Sequence, residues 1–297
     1  MRRAWLLIPV VLAAIAVFVA GSSTFVYEPV PVPAPSIMET TPIPRQKPTP
    51  TFTDTQREAL TRALADHFGD RQGSLALSVR DLSTGISYSY AATLRTATAS
   101  IVKVDIVMAL MLKAQRRKRP LTSAEKALAE RAIKTSDNAA ATELWHAIGG
   151  SAGLASANRR LGLRDTEPGP GGAWGSTTTS AADQVRLLAA LTSPESPLDA
   201  AGRRYVRRLM RDVAPDQAWG VSAAGGEAEV KNGWLPRDVH GGRWTINSIG
   251  IVRAAGHRYL IAAISERNAT MRDGIKAIEH ATETATAALP QAAATER

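Results

Sequence analysis

Ser100-Ile101-Val102-Lys103 places a hydroxyl three residues before an amine. On a helix, that spacing puts both side chains on one face, with Cβ atoms roughly 5–6 Å apart. A serine hydroxyl is a weak nucleophile until a base takes its proton. The surrounding stretch TASIVKVDIVMALMLKAQ, starting at Thr98 and ending at Gln115, is apolar almost all the way round. Such a helix is buried on every side. A lysine desolvated there loses proton affinity and can serve as the base. The helix N-terminus also offers N–H groups without intrahelical partners, suited to an oxyanion developing beside Ser100. The chemistry would be nucleophilic acyl transfer. The structural alternative is a lysine that snorkels out at the first turn, and the tetrapeptide alone does not choose between them.

Two further polar groups stand at punctuated points of the chain. IKTSDNAAATELW carries Ser136-Asp137-Asn138 where a helix breaks, and AEVKNGWLP carries Lys231-Asn232-Gly233 on a strand. In order and spacing, these three groups resemble the S-x-x-K, S-D-N and K-T-G motifs of class A β-lactamases and penicillin-binding proteins. The resemblance covers roughly Thr51 to Leu289. It implies roles residue by residue. Ser100 would be the acylated nucleophile and Lys103 its activating partner. Ser136 would pass a proton to the leaving nitrogen. Asn138 would hold the substrate amide and contact Lys103, and Asp137 would turn the loop. Lys231 would attract a substrate carboxylate, and Gly233 would let the substrate approach the strand edge. The backbone N–H groups of Ser100 and Trp234 would form the oxyanion hole.

Two departures stand out. Asn232 replaces the threonine of K-T-G; its amide can still donate a hydrogen bond to a carboxylate. The class A deacylation motif E-x-x-L-N, whose glutamate activates a water, is missing from LGLRDTEPGPGGAWGSTTTS. Glu167 is the only carboxylate near the right place. It is carried forward as the candidate catalytic base, with a solvated loop glutamate as the alternative. Gly149-Gly150-Ser151-Ala152-Gly153 fits the G-x-S-x-G nucleophile elbow, but the sequence before it is helical where the elbow needs a strand. The five histidines show no metal-ligand spacing, so neither a metal nor a cofactor is expected.

The elements that must position these groups are readable from periodicity. An amphipathic helix spans Asp54–Asp70, and a hairpin spans Gly73–Ala92 with its turn at Ser83-Thr84-Gly85. The buried helix follows. A helical block runs from about Ser123 to Leu163, with breaks at Ser136 and Gly149-Gly150. A Gly/Pro-rich loop covers Arg164–Ser180, and two helices lie between about Ser180 and Val213. Three strands and a final helix from about Asp273 complete the chain. Strands at both ends and helices in the middle predict an α+β, β-lactamase/transpeptidase-like fold: an antiparallel sheet flanked by helices plus an all-helical lobe, with the cleft between them.

Residues 1–27 begin with Arg2 and Arg3 and continue without charge until Glu28. They read as a signal peptide or N-terminal membrane anchor. Residues 28–51 hold eight of the 17 prolines and form a semi-rigid spacer. The catalytic domain would then be 52–297. The 297 residues contain no cysteine, which excludes a disulfide framework, a cysteine nucleophile and lipid attachment through cysteine. The net charge of +9 suits an anionic envelope better than nucleic acid, because no aromatic interleaving accompanies the basic runs.

The expected protein is therefore a monomeric extracytoplasmic serine hydrolase that acylates Ser100 with a β-lactam or related amide and then hydrolyses the acyl-enzyme. It would be membrane-anchored or secreted. One alternative is a D,D-peptidase acting on cell-wall peptides. The other is a non-catalytic envelope-binding protein on the same scaffold.

Overall fold

The computed structural model describes residues 51–69 and 73–294. The segment 1–27 and the proline-rich stretch, save Thr51, lie outside the described residues. Helix α1 (Asp54–Phe68) opens on a capping box, in which Thr53 accepts from the backbone of Gln56 and the Gln56 side chain answers. Strands β1 (Ser74–Asp81) and β2 (Ser87–Tyr90) form the predicted hairpin, with Asp81 accepting from Ser83 N and Thr84 Oγ1 in the turn. Next come the short β3 (Thr96–Ala97), a 3-10 turn over Ala99–Ile101, and α2 (Val102–Arg116). Helices α3 (Ser123–Lys134), α4 (Asn138–Ile148) and α5 (Gly150–Leu161) break where the sequence indicated. Gly149, in the left-handed conformation, ends α4. Ser151 therefore sits in the first turn of α5, preceded by a helix where a nucleophile elbow needs a strand.

Beyond the loop, β4 (Thr178–Thr179) pairs antiparallel with β3. Helices α6 (Ala181–Thr192) and α7 (Ala200–Arg211) follow. Strands β5 (Glu227–Arg237), β6 (Arg243–Ala254) and β7 (His257–Asn268) lead into α8 (Met271–Ala294). The main sheet has the order β2-β1-β7-β6-β5, antiparallel throughout, with β5 on one edge.

Alternation along the strands builds two cores, because successive side chains point to opposite sheet faces. Ile249, Ile251, Leu260, Ala262 and Ile264 join α2–α7 on one face. Val252, Tyr259, Ile261 and Ala263 join α1 and α8 on the other. This is the α+β architecture the sequence predicts.

Two details differ from the sequence reading. The segment from Thr98 is not one continuous α-helix. Ser100 lies in the tighter 3-10 turn, and Ala99 before it has φ +46°, a left-handed conformation that is rare for a residue with a Cβ. The second detail is Asp105, two residues after Lys103 and fully buried, with neither carboxyl oxygen hydrogen-bonded. Burial, reinforced by the nearby Asp183, pushes its pKa up to about 8. The folded state therefore holds this proton more tightly than the unfolded chain. The stability it confers is complete below pH 4 and falls as pH rises toward 8. At pH 7 the deficit is on the order of 4 kcal/mol. Asp105→Asn is expected to raise the thermal midpoint at pH 7 to 8 and to change it little at pH 4, as followed by circular dichroism.

Candidate active site

The three polar groups meet at one point. Lys103 is fully buried on α2. Its ammonium donates to the Ser136 backbone carbonyl at 2.5 Å, to Ser136 Oγ at 3.1 Å and to Asn138 Oδ1 at 2.8 Å. Lys231, buried on β5, reaches the same Ser136 Oγ at 3.0 Å and donates to the Asn232 carbonyl at 2.8 Å. One hydroxyl thus sits between two amines. Burial lowers the Lys103 pKa to about 8, partly countered by the Asp137 carboxylate. Burial and then the Lys103 charge hold Lys231 well below the ordinary lysine range.

Local chain geometry makes this meeting possible. Ser136 sits at φ +57°, which folds its carbonyl and hydroxyl back onto Lys103. Asp137 caps α4 through Ala140 N at 3.0 Å and takes two hydrogen bonds from Arg131. It is a turn-forming residue, and its cap leaves Asn138 at the first helical position facing Lys103.

Ser100 is partly exposed beside this cluster. Its hydroxyl makes no hydrogen bond among the described residues; in this resting arrangement all three Lys103 contacts go to Ser136 and Asn138. The turn that carries Ser100 is fixed from outside. Asn247 on β6 donates to the carbonyls of Ala97 at 2.8 Å and Thr98 at 2.9 Å, and Thr98 N donates to the Thr177 carbonyl. Sequence reasoning passed over Asn247. The available signal was a polar residue in the middle of an apolar strand run.

Gly233 lies against the turn that carries Ser100. A Cβ there would fall 2.7 Å from Ser100 N and 2.8 Å from both Ile101 N and the Thr98 carbonyl. The clash is with the protein's own backbone, so this glycine has a packing role in addition to the substrate access expected of it. The same closeness brings the backbone leading into Trp234 beside Ser100 N.

Asn232 also departs from expectation. Its side-chain amide is buried and donates to the Gln217 carbonyl at 2.8 Å and the Trp219 carbonyl at 2.9 Å. Both protons tie β5 to the preceding loop, so neither is open to a substrate carboxylate. Alternation along β5 is the reason: Lys231 and Gly233 face Ser136 and Ser100, while Asn232 faces the other way. The Trp234 ring lies 5.9 Å from that of Trp219, on the side of Asn232.

Glu167 is not brought to the cluster. Its backbone forms a two-way bridge with Thr178, at 2.9 Å in each direction, and its side chain is exposed with no hydrogen bond or ion pair among the described residues. The residue that the loop does present at Lys103 is Trp174, whose ring centre lies 5.0 Å from Nζ.

We expect Gly233→Ala to destabilise the domain by about 1–3 kcal/mol through overpacking. The added methyl should also displace the turn that carries Ser100. Thermal unfolding followed by circular dichroism reads the loss of stability.

Comparisons with known proteins agree with this layout. The curated protein "Putative lipoprotein LppW" of Mycobacterium tuberculosis (strain ATCC 25618 / H37Rv) is 29% identical over 204 residues. That is 64% of this chain, and the chain spans only 63% of that relative's length. Among solved structures, a class A β-lactamase from Bacteroides cellulosilyticus DSM 14838 superposes with a TM-score of 0.68 at 14% identity, over 80% of this chain and 99% of its own. A mutant of PBP-A, in an acyl-enzyme complex with penicillin G, gives 0.67 at 19% identity, over 80% and 97%. At these identities the superpositions establish the fold. The family model described as "Beta-lactamase enzyme family" matches residues 124–289, more than half of the chain, taking in Ser136 and Lys231 but starting beyond Lys103. The chain is a member of the β-lactamase enzyme family.

Proposed function

We propose that this protein is a serine acyl-transfer enzyme of the penicillin-binding type, forming a covalent ester at Ser100 with β-lactams and with related cell-wall amides. The observation that carries the reading is the convergence of Lys103 and Lys231 on Ser136 Oγ, at 3.1 and 3.0 Å, beside an unbonded Ser100 hydroxyl. With a pKa of about 8, roughly one Lys103 in ten is neutral at pH 7. The neutral amine takes the Ser100 proton as Oγ attacks the carbonyl carbon. The N–H groups of Ser100 and Trp234 hold the resulting oxyanion. As the C–N bond breaks, Ser136 gives its proton to the leaving nitrogen and regains one from Lys103. Lys231 holds positive potential at the same hydroxyl and draws an anionic substrate.

Hydrolysis of the ester needs a further base. The exposed side chain of Glu167 does not supply one, and the Asp137 carboxylate is taken by Arg131 and Ala140 N. This favours a peptidase-like enzyme with a lasting β-lactam adduct over a β-lactamase with fast turnover. An extracytoplasmic place belongs to the same proposal. The apolar run after Arg2 and Arg3, and the lipoprotein named among the relatives, support it.

Mixing the protein with benzylpenicillin should give an intact-mass adduct on Ser100 that persists for hours. The acylation rate should rise with pH and level off above about 8, because only unprotonated Lys103 is competent. Lys103→Ala should slow acylation by about 10²–10⁴-fold. A folded protein that takes up no adduct would return the weight to the binding-protein reading, and an adduct lost within seconds would return it to the β-lactamase.

A further inference from the structure

The loop after α5 presents an indole at Lys103 in place of a carboxylate. Trp174 stands in a short 3-10 turn, Trp174–Ser176. Its ring centre lies 5.0 Å from Lys103 Nζ, and its Nε1 donates to Thr142 Oγ1 at 3.1 Å. Thr142 is one helical turn beyond Asn138 on the same face of α4. The indole therefore spans from the α4 face to the lysine and covers the loop side of the Lys103–Asn138 pair.

The loop is fastened on both sides of this ring. Thr177 N bonds back to the Trp174 carbonyl at 3.0 Å, and the Thr177 carbonyl accepts from Thr98 N at 2.7 Å, two residues before the nucleophile. A Cβ on Gly175 would come within 4.0 Å of Ala99 Cα. Gly169 N donates to Thr177 Oγ1, closing the loop from its other end.

From this arrangement we infer that Trp174 is a water-excluding lid that decides the fate of the acyl-enzyme. The inference rests on the acyl-transfer reading above. To release the acyl group, a water oxygen must attack the ester carbonyl and pass its proton to a base while the ester C–O bond breaks and Ser100 Oγ is reprotonated. Lys103, three residues from Ser100, is a group able to take that proton, and an apolar ring lies against it on the loop side. A water there would find no polar partner on the indole face, and an unpartnered water is not retained. The ring also helps keep the lysine dry, so the lid is a positioning residue for Lys103 as well as a barrier.

The test compares wild type, Trp174→Ala and Thr142→Val after acylation with benzylpenicillin, following adduct lifetime by intact mass and acylation rate against pH. Trp174→Ala should shorten the adduct lifetime at least about tenfold and release penicilloate. It should also move the acylation inflection upward from about 8 toward the ordinary lysine value, because Lys103 gains water. A residue that merely filled space would not move that inflection. Thr142→Val removes only the anchor of the ring, at an exposed position, and should shorten the lifetime by a smaller factor; it carries the test if Trp174→Ala fails to fold. Unchanged lifetimes on an acylated protein overturn the lid while leaving acyl transfer intact. A folded wild type that forms no adduct overturns both.

Discussion

One hydroxyl placed between two buried amines is the constraint on which the rest of the site depends. Two ammonium groups within reach of Ser136 Oγ repel each other in a medium of low polarity. The protein tolerates the pair because burial favours the neutral form of each, and because oxygen acceptors surround them: the Ser136 and Asn232 carbonyls and Asn138 Oδ1. Positive charge is thereby concentrated around one serine hydroxyl. The apolar girth of α2, which first looked hostile to a lysine, is what tunes it.

Holding that arrangement requires backbone conformations that ordinary residues avoid. Ala99 and Ser136 both adopt positive φ, one just before Ser100 and the other at the shared hydroxyl. Such conformations persist only where the surroundings over-determine them. Here Asn247 grips the carbonyls before Ser100, the Asp137 cap fixes the turn after Ser136, and β5 presses a glycine against the backbone at Ser100. Sheet and helices thus act as two jaws of a clamp.

Most of this was legible in the sequence. Alternation in β6 and β7, the caps and the glycine breaks gave the element order, and the three motifs gave Lys103, Ser136, Asn138 and Lys231, which the structure joins by hydrogen bonds, with Ser100 on the turn before α2. What escaped has specific causes. Strands β3 and β4 are two residues each, too short to show a period. Asn232 differs from its neighbours only by strand parity, which fixes its direction once β5 is seen in place. Asp105 carries no sequence signal of its burial, because a charged residue in a helix is ordinarily read as solvent-facing and only the packing of α2 shows it enclosed. Trp174 belongs to a loop whose path is set by contacts with residues far away in sequence, and no local pattern encodes such a path.

The bridge between Glu167 and Thr178 has a consequence for the history of the fold. Along this short extended piece Thr166 is buried and Glu167 exposed, opposite Thr178 exposed and Thr179 buried. Parity is locked, and the buried Thr166 hydroxyl bonds both Thr179 and the carboxylate of Asp183. Turning the glutamate inward would take a slip of one residue, and that slip would expel Thr166 and dismantle its network. A chain carrying this loop would reach an inward Glu167 only through an insertion or deletion, a rarer event than a point mutation.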